Sequence, residues 1–278
     1  MNYPLQNQKA HREVIGLIPA GGKASRIAPL PCSKELYPIG FRSVDNNNNL
    51  RPKVISHYLL EKMRLANITK AYIILREGKW DIPSYFGDGR LLDMNLAYLM
   101  MNLPFGVPYT LDQAYPFVQN SLVALGFPDT IFQPGDAYVK LAAKLEDSNA
   151  DIVLGLFPAS QPHKTDMVEL GPEGRVIAIS VKPDQTQLLY SWEIAIWTPV
   201  FTKFMHDYVL SRQKQNLNTD QKEQDELFVG DVIQAAIQDN LQVDSVLFKD
   251  SYCLDIGTPE DLQKAIRETI EISKEIRK

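Results

Sequence analysis

The residues best suited to chemistry lie in one short stretch, "VIGLIPAGGKASRIAPLPCSKELYPIG", residues 14–40. An apolar run ends in Ala20-Gly21-Gly22. Lys23, Ala24 and Ser25 follow, then two spaced cations, Arg26 and Lys34. A glycine turn at the end of a strand exposes several backbone N–H groups, and in an open α/β sheet ligands bind at that edge. Glycine lets a ligand approach the backbone because no β-carbon intervenes. Arginine can meet a phosphate with two parallel hydrogen bonds, and lysine supplies a point charge. On residues alone, two glycines after a strand fit a structural turn as well as a phosphate cradle.

A loop of this kind needs a scaffold, and the rest of the chain supplies the pattern of one. Apolar strands are expected at 14–19, 70–76, 95–101, 122–127 and 151–157. Amphipathic helices are expected at 54–67, 113–120 and 139–145. The strands read as continuous apolar runs, which indicates burial on both faces. The expected fold is therefore α/β: a Rossmann-like, mostly parallel mixed sheet with helices on both faces. The second half is less regular. Residues 167–183 predict a hairpin turned by "GPEG", and "SWEIAIWTPVF" (191–201) a strand ended by Pro199. A helix is expected over 225–240, and late strands at "VDSVLF" and "SYCLDIG". The polar segment 211–226 reads as a surface loop or helix end. Thr258, Pro259 and Asp261 predict the start of a last helix, with a stripe of Leu262, Ala265, Ile266, Thr269, Ile270 and Ser273. "NNNN" (46–49) reads as an exposed loop tip in an insertion near 43–50. No internal repeat or linker is visible, so 1–278 is expected to form a single domain.

Bulk properties narrow the class. With 278 residues, 45% hydrophobic and 23% charged, the composition is that of a globular protein with a sizeable core. A net charge of −5 disfavours non-specific binding to nucleic acid or acidic membranes. Cys32 and Cys253 form no metal-ligand or CxxC pattern. The polar start "MNYPLQNQKAHREV" lacks a signal-peptide stretch, and no run of about 18 apolar residues exists. The expectation is a cytoplasmic protein. The four histidines form no spaced cluster, and Trp192 and Trp197 read as core.

The loop resembles the signature of the sugar-phosphate nucleotidyltransferases, the nucleotide-sugar pyrophosphorylases. Their L-A-G-G/A-x-G-T-R-L-x-P and later P/S-K-x-L/M-x-P fall in register with Gly21, Gly22, Arg26, Pro29, Ser33, Lys34, Leu36 and Pro38. Further pieces follow in order: "RPKVISHYLL", "TLDQAY", "FPDTIF", "SVKP" and "YCLDIGTPEDL". The likeness is to the glucose-1-phosphate thymidylyltransferase and UTP-glucose-1-phosphate uridylyltransferase branches, and it runs along nearly the whole chain. It implies Mg²⁺-dependent nucleotidyl transfer from a nucleoside triphosphate to a sugar 1-phosphate. By the same resemblance, Asp129 and Asp255 are metal ligands. Arg26, Lys34 and Lys182 are catalytic cations, with Arg26 on the β,γ-phosphates of the nucleotide, Lys182 on the attacking phosphate and Lys34 near the leaving group. Ala20 to Ser25 and Gln113 bind nucleotide, and Met167 and Glu193 meet the sugar. Asp136 in "PGD" lacks the following match and reads as a turn residue.

Several positions depart from the family pattern. Ala24-Ser25 replaces Gly-Thr, which is tolerable at negative φ and strained at positive φ. Thr110 and Pro128 replace glycines, and Val181 replaces the glutamate before K-P. Phosphate and metal groups are kept while the hexose pocket is rewritten. The expected partners are a nucleoside triphosphate and a sugar phosphate or related acceptor. Nucleic acid and membranes are not expected partners, and self-association is left open. A non-catalytic nucleotide-binding paralogue is the alternative. A metal-dependent glycosyltransferase is disfavoured because no D-x-D stands at a strand end.

Overall fold

β-Branched and aliphatic runs bounded by turn residues form the strands, and their side chains alternate between two cores. The computed structural model describes residues 13–43, 49–101, 105–217 and 226–275, with backbone alone for 216–217 and 269–275. The strands are β1 (Val14–Ala20), β2 (Pro38–Ser43), β3 (Leu50–Val54), β4 (Lys70–Leu75), β5 (Asn95–Met100), β6 (Leu122–Leu125) and β7 (Thr130–Phe132). They continue with β8 (Ile152–Pro158), β9 (Asp166–Leu170), β10 (Val176–Val181), β11 (Tyr190–Trp197), β12 (Val243–Leu247) and β13 (Cys253–Asp255). The helices are α1 (Ile55–Leu65), α2 (Asp81–Phe86), α3 (Val107–Asp112), α4 (Tyr115–Val118), α5 (Ala137–Asp147), α6 (Pro199–Leu217), α7 (Val229–Gln238) and α8 (Pro259–Glu275).

Among the described residues, nine strands form one sheet, ordered β10-β9-β11-β6-β1-β4-β5, with β8 pairing β11 and β12. The expected mixed α/β sheet is present. It is parallel where β1 lies between β4 and β6 and where β4 meets β5. It turns antiparallel where β11 joins β6 and β8 and where β9 meets β10. Ile15, Leu17, Val123 and Leu125 face one core with Leu111, Phe201 and Val232, under α3, α6 and α7. Ile18, Ala20, Ala124 and Ile73 face the other with Leu59, Met63 and Leu141, under α1 and α5. Helices thus cover both faces, as the continuous apolar strands require. A smaller cluster of Ile27, Ile131, Leu254, Ile256 and Ala265 joins the short β7–β13 pair to α8.

The structure corrects several expectations. Residues 199–201 do not continue β11; Pro199 opens the 19-residue α6, because proline's fixed φ suits the first helical turn. The helix expected at 113–120 is α4, preceded by α3. The helix expected at 225–240 is α7, which starts at Val229. The short strand β7, the helix α2 and the β2–β3 hairpin did not stand out in the sequence. That hairpin flanks the Asn-rich segment, whose residues 44–48 lie outside the described residues. So do most of the polar segment after 217 and the side chains of Thr269, Ile270 and Ser273. Thr258 does cap α8: its Oγ1 accepts the Asp261 N–H at 3.3 Å. Among the described residues, no helix is long and apolar enough to cross a membrane.

Candidate active site

Two short strands set the centre of the site. β7 and β13 pair antiparallel with Asp255 opposite Thr130, and the Ile256 N–H donates to the Asp129 carbonyl at 3.0 Å. This pairing brings Asp129 and Asp255, 126 positions apart in the sequence, to the same crevice. The Lys34 ammonium forms an ion pair with Asp129. Burial opposes the Lys34 charge, but Asp129 and Asp255 together outweigh it and raise its pKa. Burial and the Asp129 carboxylate push Asp255 up to about 6, against Lys34 and Arg26. Gly257 permits the approach of Arg26: a β-carbon there would stand 2.8 Å from Asp255 Oδ2 and 2.9 Å from Arg26 Nη2. Two hard oxygen ligands whose mutual repulsion raises a pKa fit a divalent cation. Among the described residues, no group of three or more His, Cys, Asp or Glu is arranged to hold a metal.

On one side of this centre lies a cavity of about 540 Å³, lined by Gly21, Gly22, Lys23, Ser25, Lys34 and Asp129. Met101, Phe105 and Thr110 form its less polar wall. Gly21 lets the Met101 side chain lie close: a β-carbon there would stand 2.3 Å from the Met101 sulfur, which would have to move aside. The other expected nucleotide contacts are placed differently. Ala20 is buried in the core at the end of β1. Ala24 does not line the cavity; its backbone is left-handed, φ +53°, and its carbonyl accepts from Ile27 and Ala28 N–H, both at 3.1 Å. That turn carries Arg26 beyond the loop, so Arg26 lines the opposite cavity rather than this one. Gln113 does not line the cavity either: its amide turns back to the Tyr109 carbonyl at 3.4 Å, and Thr110, one turn earlier, takes the wall position.

On the other side, two contiguous cavities of about 250 and 210 Å³ share Lys164, Thr165, Lys182, Glu193 and Asp255. Lys182 has an uncommon backbone, φ +40°, and its ammonium sits 3.5 Å over the Phe228 ring. Strained residues of this kind collect at functional sites. Glu193 is aimed here by an irregularity in the β11–β8 ladder between Trp192 and Ile194. The Ser191 hydroxyl donates to Glu193 Oε1 at 3.0 Å. Burial, with Asp255, Asp166 and Asp129 nearby, pushes Glu193 up to about 8 despite that bond. Met167, expected at the sugar, is fully buried and lines neither cavity; its neighbour Asp166 does. One residue along a strand reverses the face a side chain occupies. Burial pushes Asp166 up to about 6, against Lys182.

Lys164, Asp166, Phe105 and Phe228 were missed in the sequence. Only Asp166 had a signal, as the polar neighbour of Met167 on a strand end. Trp192 and Trp197 are both buried in the core, as expected, and Trp192 also forms part of the cavity wall. Two of the histidines lie apart from the site. His57 is buried against Tyr85 and Phe86, and His206 stacks on Tyr115 and bonds Asp112 at 2.8 Å.

A strand-end glycine loop, paired carboxylates and cations on a mixed sheet are the parts of a nucleotidyl transferase. The family model of that description matches residues 15–272, and the chain belongs to that family, the sugar-phosphate nucleotidyltransferases. Within it the chain resembles glucose-1-phosphate thymidylyltransferases. It is 22% identical to that of Streptomyces antibioticus over 265 residues, 92% of this chain and 66% of that protein. It is 26% identical to that of Streptomyces griseus over 176 residues, 60% of this chain and 44% of that protein. The alignments thus span less than two thirds of these relatives' lengths. Two crystal structures share the fold. A Bacillus anthracis chain described as a glucose-1-phosphate thymidylyltransferase, in complex with sucrose, superposes with a TM-score of 0.75 at 18% identity. The match covers 92% of this chain and 95% of that one. A UDP-glucose pyrophosphorylase complexed with UDP-glucose gives 0.73 at 15%, covering 93% and 99%.

Proposed function

We propose that the chain transfers a nucleotidyl group from a nucleoside triphosphate to a sugar 1-phosphate, or a related phosphorylated acceptor, and releases pyrophosphate with the help of Mg²⁺. One observation carries this reading: Asp129 and Asp255 meet beside Lys34 where the glycine-loop cavity joins the cavities holding Lys182 and Arg26. The Gly21–Ser25 backbone cradles the triphosphate. Lys182 and Arg26, on the opposite side, hold the acceptor phosphate. One acceptor oxygen attacks the α-phosphorus as the bond to pyrophosphate breaks. No general base is needed, because the attacking phosphate is already ionised. Lys34 neutralises charge near the leaving group, and Asp129 and Asp255 would hold Mg²⁺, which supplies charge screening at the α-phosphate.

The acceptor cavity differs from the expected hexose pocket: Val181 lacks a carboxylate, and Glu193 and Asp166 provide two others. This supports an acceptor with its own polar pattern. The strained Ala24 favours one competing reading, a paralogue that binds nucleotide without turnover. The test is pyrophosphate release with Mg²⁺, each nucleoside triphosphate and a panel of phosphorylated sugars and alcohols. Turnover is expected, with a loss of about 10²–10³-fold in Asp255→Asn. Binding without turnover across the panel would establish the paralogue instead.

A further inference from the structure

Lys34 sits in a single 3-10 turn, Lys34–Leu36, which is too short to hold a side chain in place by itself. Both of its neighbours are gripped by one distant segment. The Ser33 N–H donates to Asp81 Oδ2 at 2.7 Å, and the Ser33 hydroxyl donates to Asp81 Oδ1 at 2.6 Å. On the other side, Glu35 forms an ion pair with Lys79; the two residues are 3% and 8% exposed. Residues 79–81 follow β4, which pairs in parallel register with β1, the strand that ends in the glycine loop. The same segment therefore fixes Lys34 relative to that loop. A buried ion pair is weakly justified by stability alone, since the desolvation cost rivals the attraction. Holding a geometry is a better account of this one. Neither Lys79 nor Asp81 lines the three cavities.

We propose that Asp81 is a positioning residue for Lys34: by taking both donors of Ser33 it fixes the turn that delivers the ammonium to Asp129. The inference rests on the role given above to Lys34. A carboxylate with two acceptor oxygens suits the task; an amide offers one, and alanine none. Lys79 steadies the following residue through Glu35.

A double-mutant cycle of Asp81→Ala and Lys34→Ala tests this, read in pyrophosphate release. Asp81→Ala should lower kcat by about 10- to 100-fold with little change in KM for the acceptor. Asp81→Asn should fall between it and the parent. In the Lys34→Ala background, Asp81→Ala should change kcat by less than about threefold, because the group it positions is gone. A general structural role would produce the same loss in both backgrounds, and that additive result overturns the proposal; so does unchanged kcat in Asp81→Ala. Should Asp81→Ala fail to fold, Asp81→Asn and Ser33→Ala complete the cycle. A parent chain that binds nucleotide without turnover sinks the proposed function. The same cycle, read as calorimetric affinity for the nucleoside triphosphate, then decides the clamp by the same criterion of additivity.

Discussion

Ala24 shows how one residue carries a cost that its neighbourhood must offset. A β-carbon at φ +53° strains the backbone by about 1 kcal/mol or more, and the turn onto Ile27 and Ala28 holds it there. Ala24→Gly should raise stability by about 1 kcal/mol, read as the urea midpoint, without lowering nucleotide affinity; a lower midpoint would show the strain to be absent. His57 is a second such residue. It is fully buried with neither ring nitrogen hydrogen-bonded, and burial, with Arg42 and Lys53 nearby, lowers its pKa to about 4. The unfolded chain takes up that proton near pH 6.5, and the folded one only near pH 4. Stability is therefore lost as pH falls between those values. A His57→Leu chain should show a shallower decline of its urea midpoint over this window than the parent; identical slopes would exclude His57 as the source. The loop residues Gly21, Gly22, Ser25 and Lys34 could be singled out in sequence because glycine and isolated cations have few uses at a strand end. Met167 could not be told from Asp166, since a strand's side chains alternate and the phase is set by pairing.

At the scale of elements, the strands of both cores were plain, because apolar runs bounded by turn residues have few other forms. α6 was not, because its first turn continues the apolar text of β11 across Pro199. The spacing of Phe201, Met205 and Val209 is helical, and all three are buried. Phe201 packs edge-on to Trp197, with ring centroids 5.3 Å apart. Phe201→Ala should cost about 3–5 kcal/mol, seen as a lower denaturation midpoint by circular dichroism, and α6 should loosen with it. A cost under about 1 kcal/mol would mean that α6 contributes little to that core. β7 was equally hidden, as a three-residue strand leaves too little pattern to read, although its partner β13 lies within the strand expected at "SYCLDIG". Yet that pair is what joins the carboxylates. The bulge at Glu193 belongs here too: ladder irregularities follow from the partner strand, which a local reading does not contain.

At the scale of the whole molecule, the site is a junction. β1 supplies the glycine loop, β7 and β13 the carboxylates, and β10 and β11 the ends bearing Lys182 and Glu193. A ligand that spans these elements should stabilise the folded state by linkage, by about 2.7 kcal/mol at 100 times its Kd. Nucleoside triphosphate with Mg²⁺ should therefore raise Tm, and chelation should reverse the part that needs the ion. In Asp255→Asn that metal-dependent part should shrink; an undiminished response would place the ion elsewhere. The sequence by itself determined the class of sheet and singled out the glycine loop and the two acids that share the crevice, because hydrophobic period, glycine and ordered motifs are local text. Tertiary structure alone decided which cavity Arg26 lines, that Gln113 and Met167 stand off the cavities, and that Asp81 grips Ser33. Those outcomes depend on strand pairing and on φ at single residues, and both are set by contacts between segments far apart in the chain.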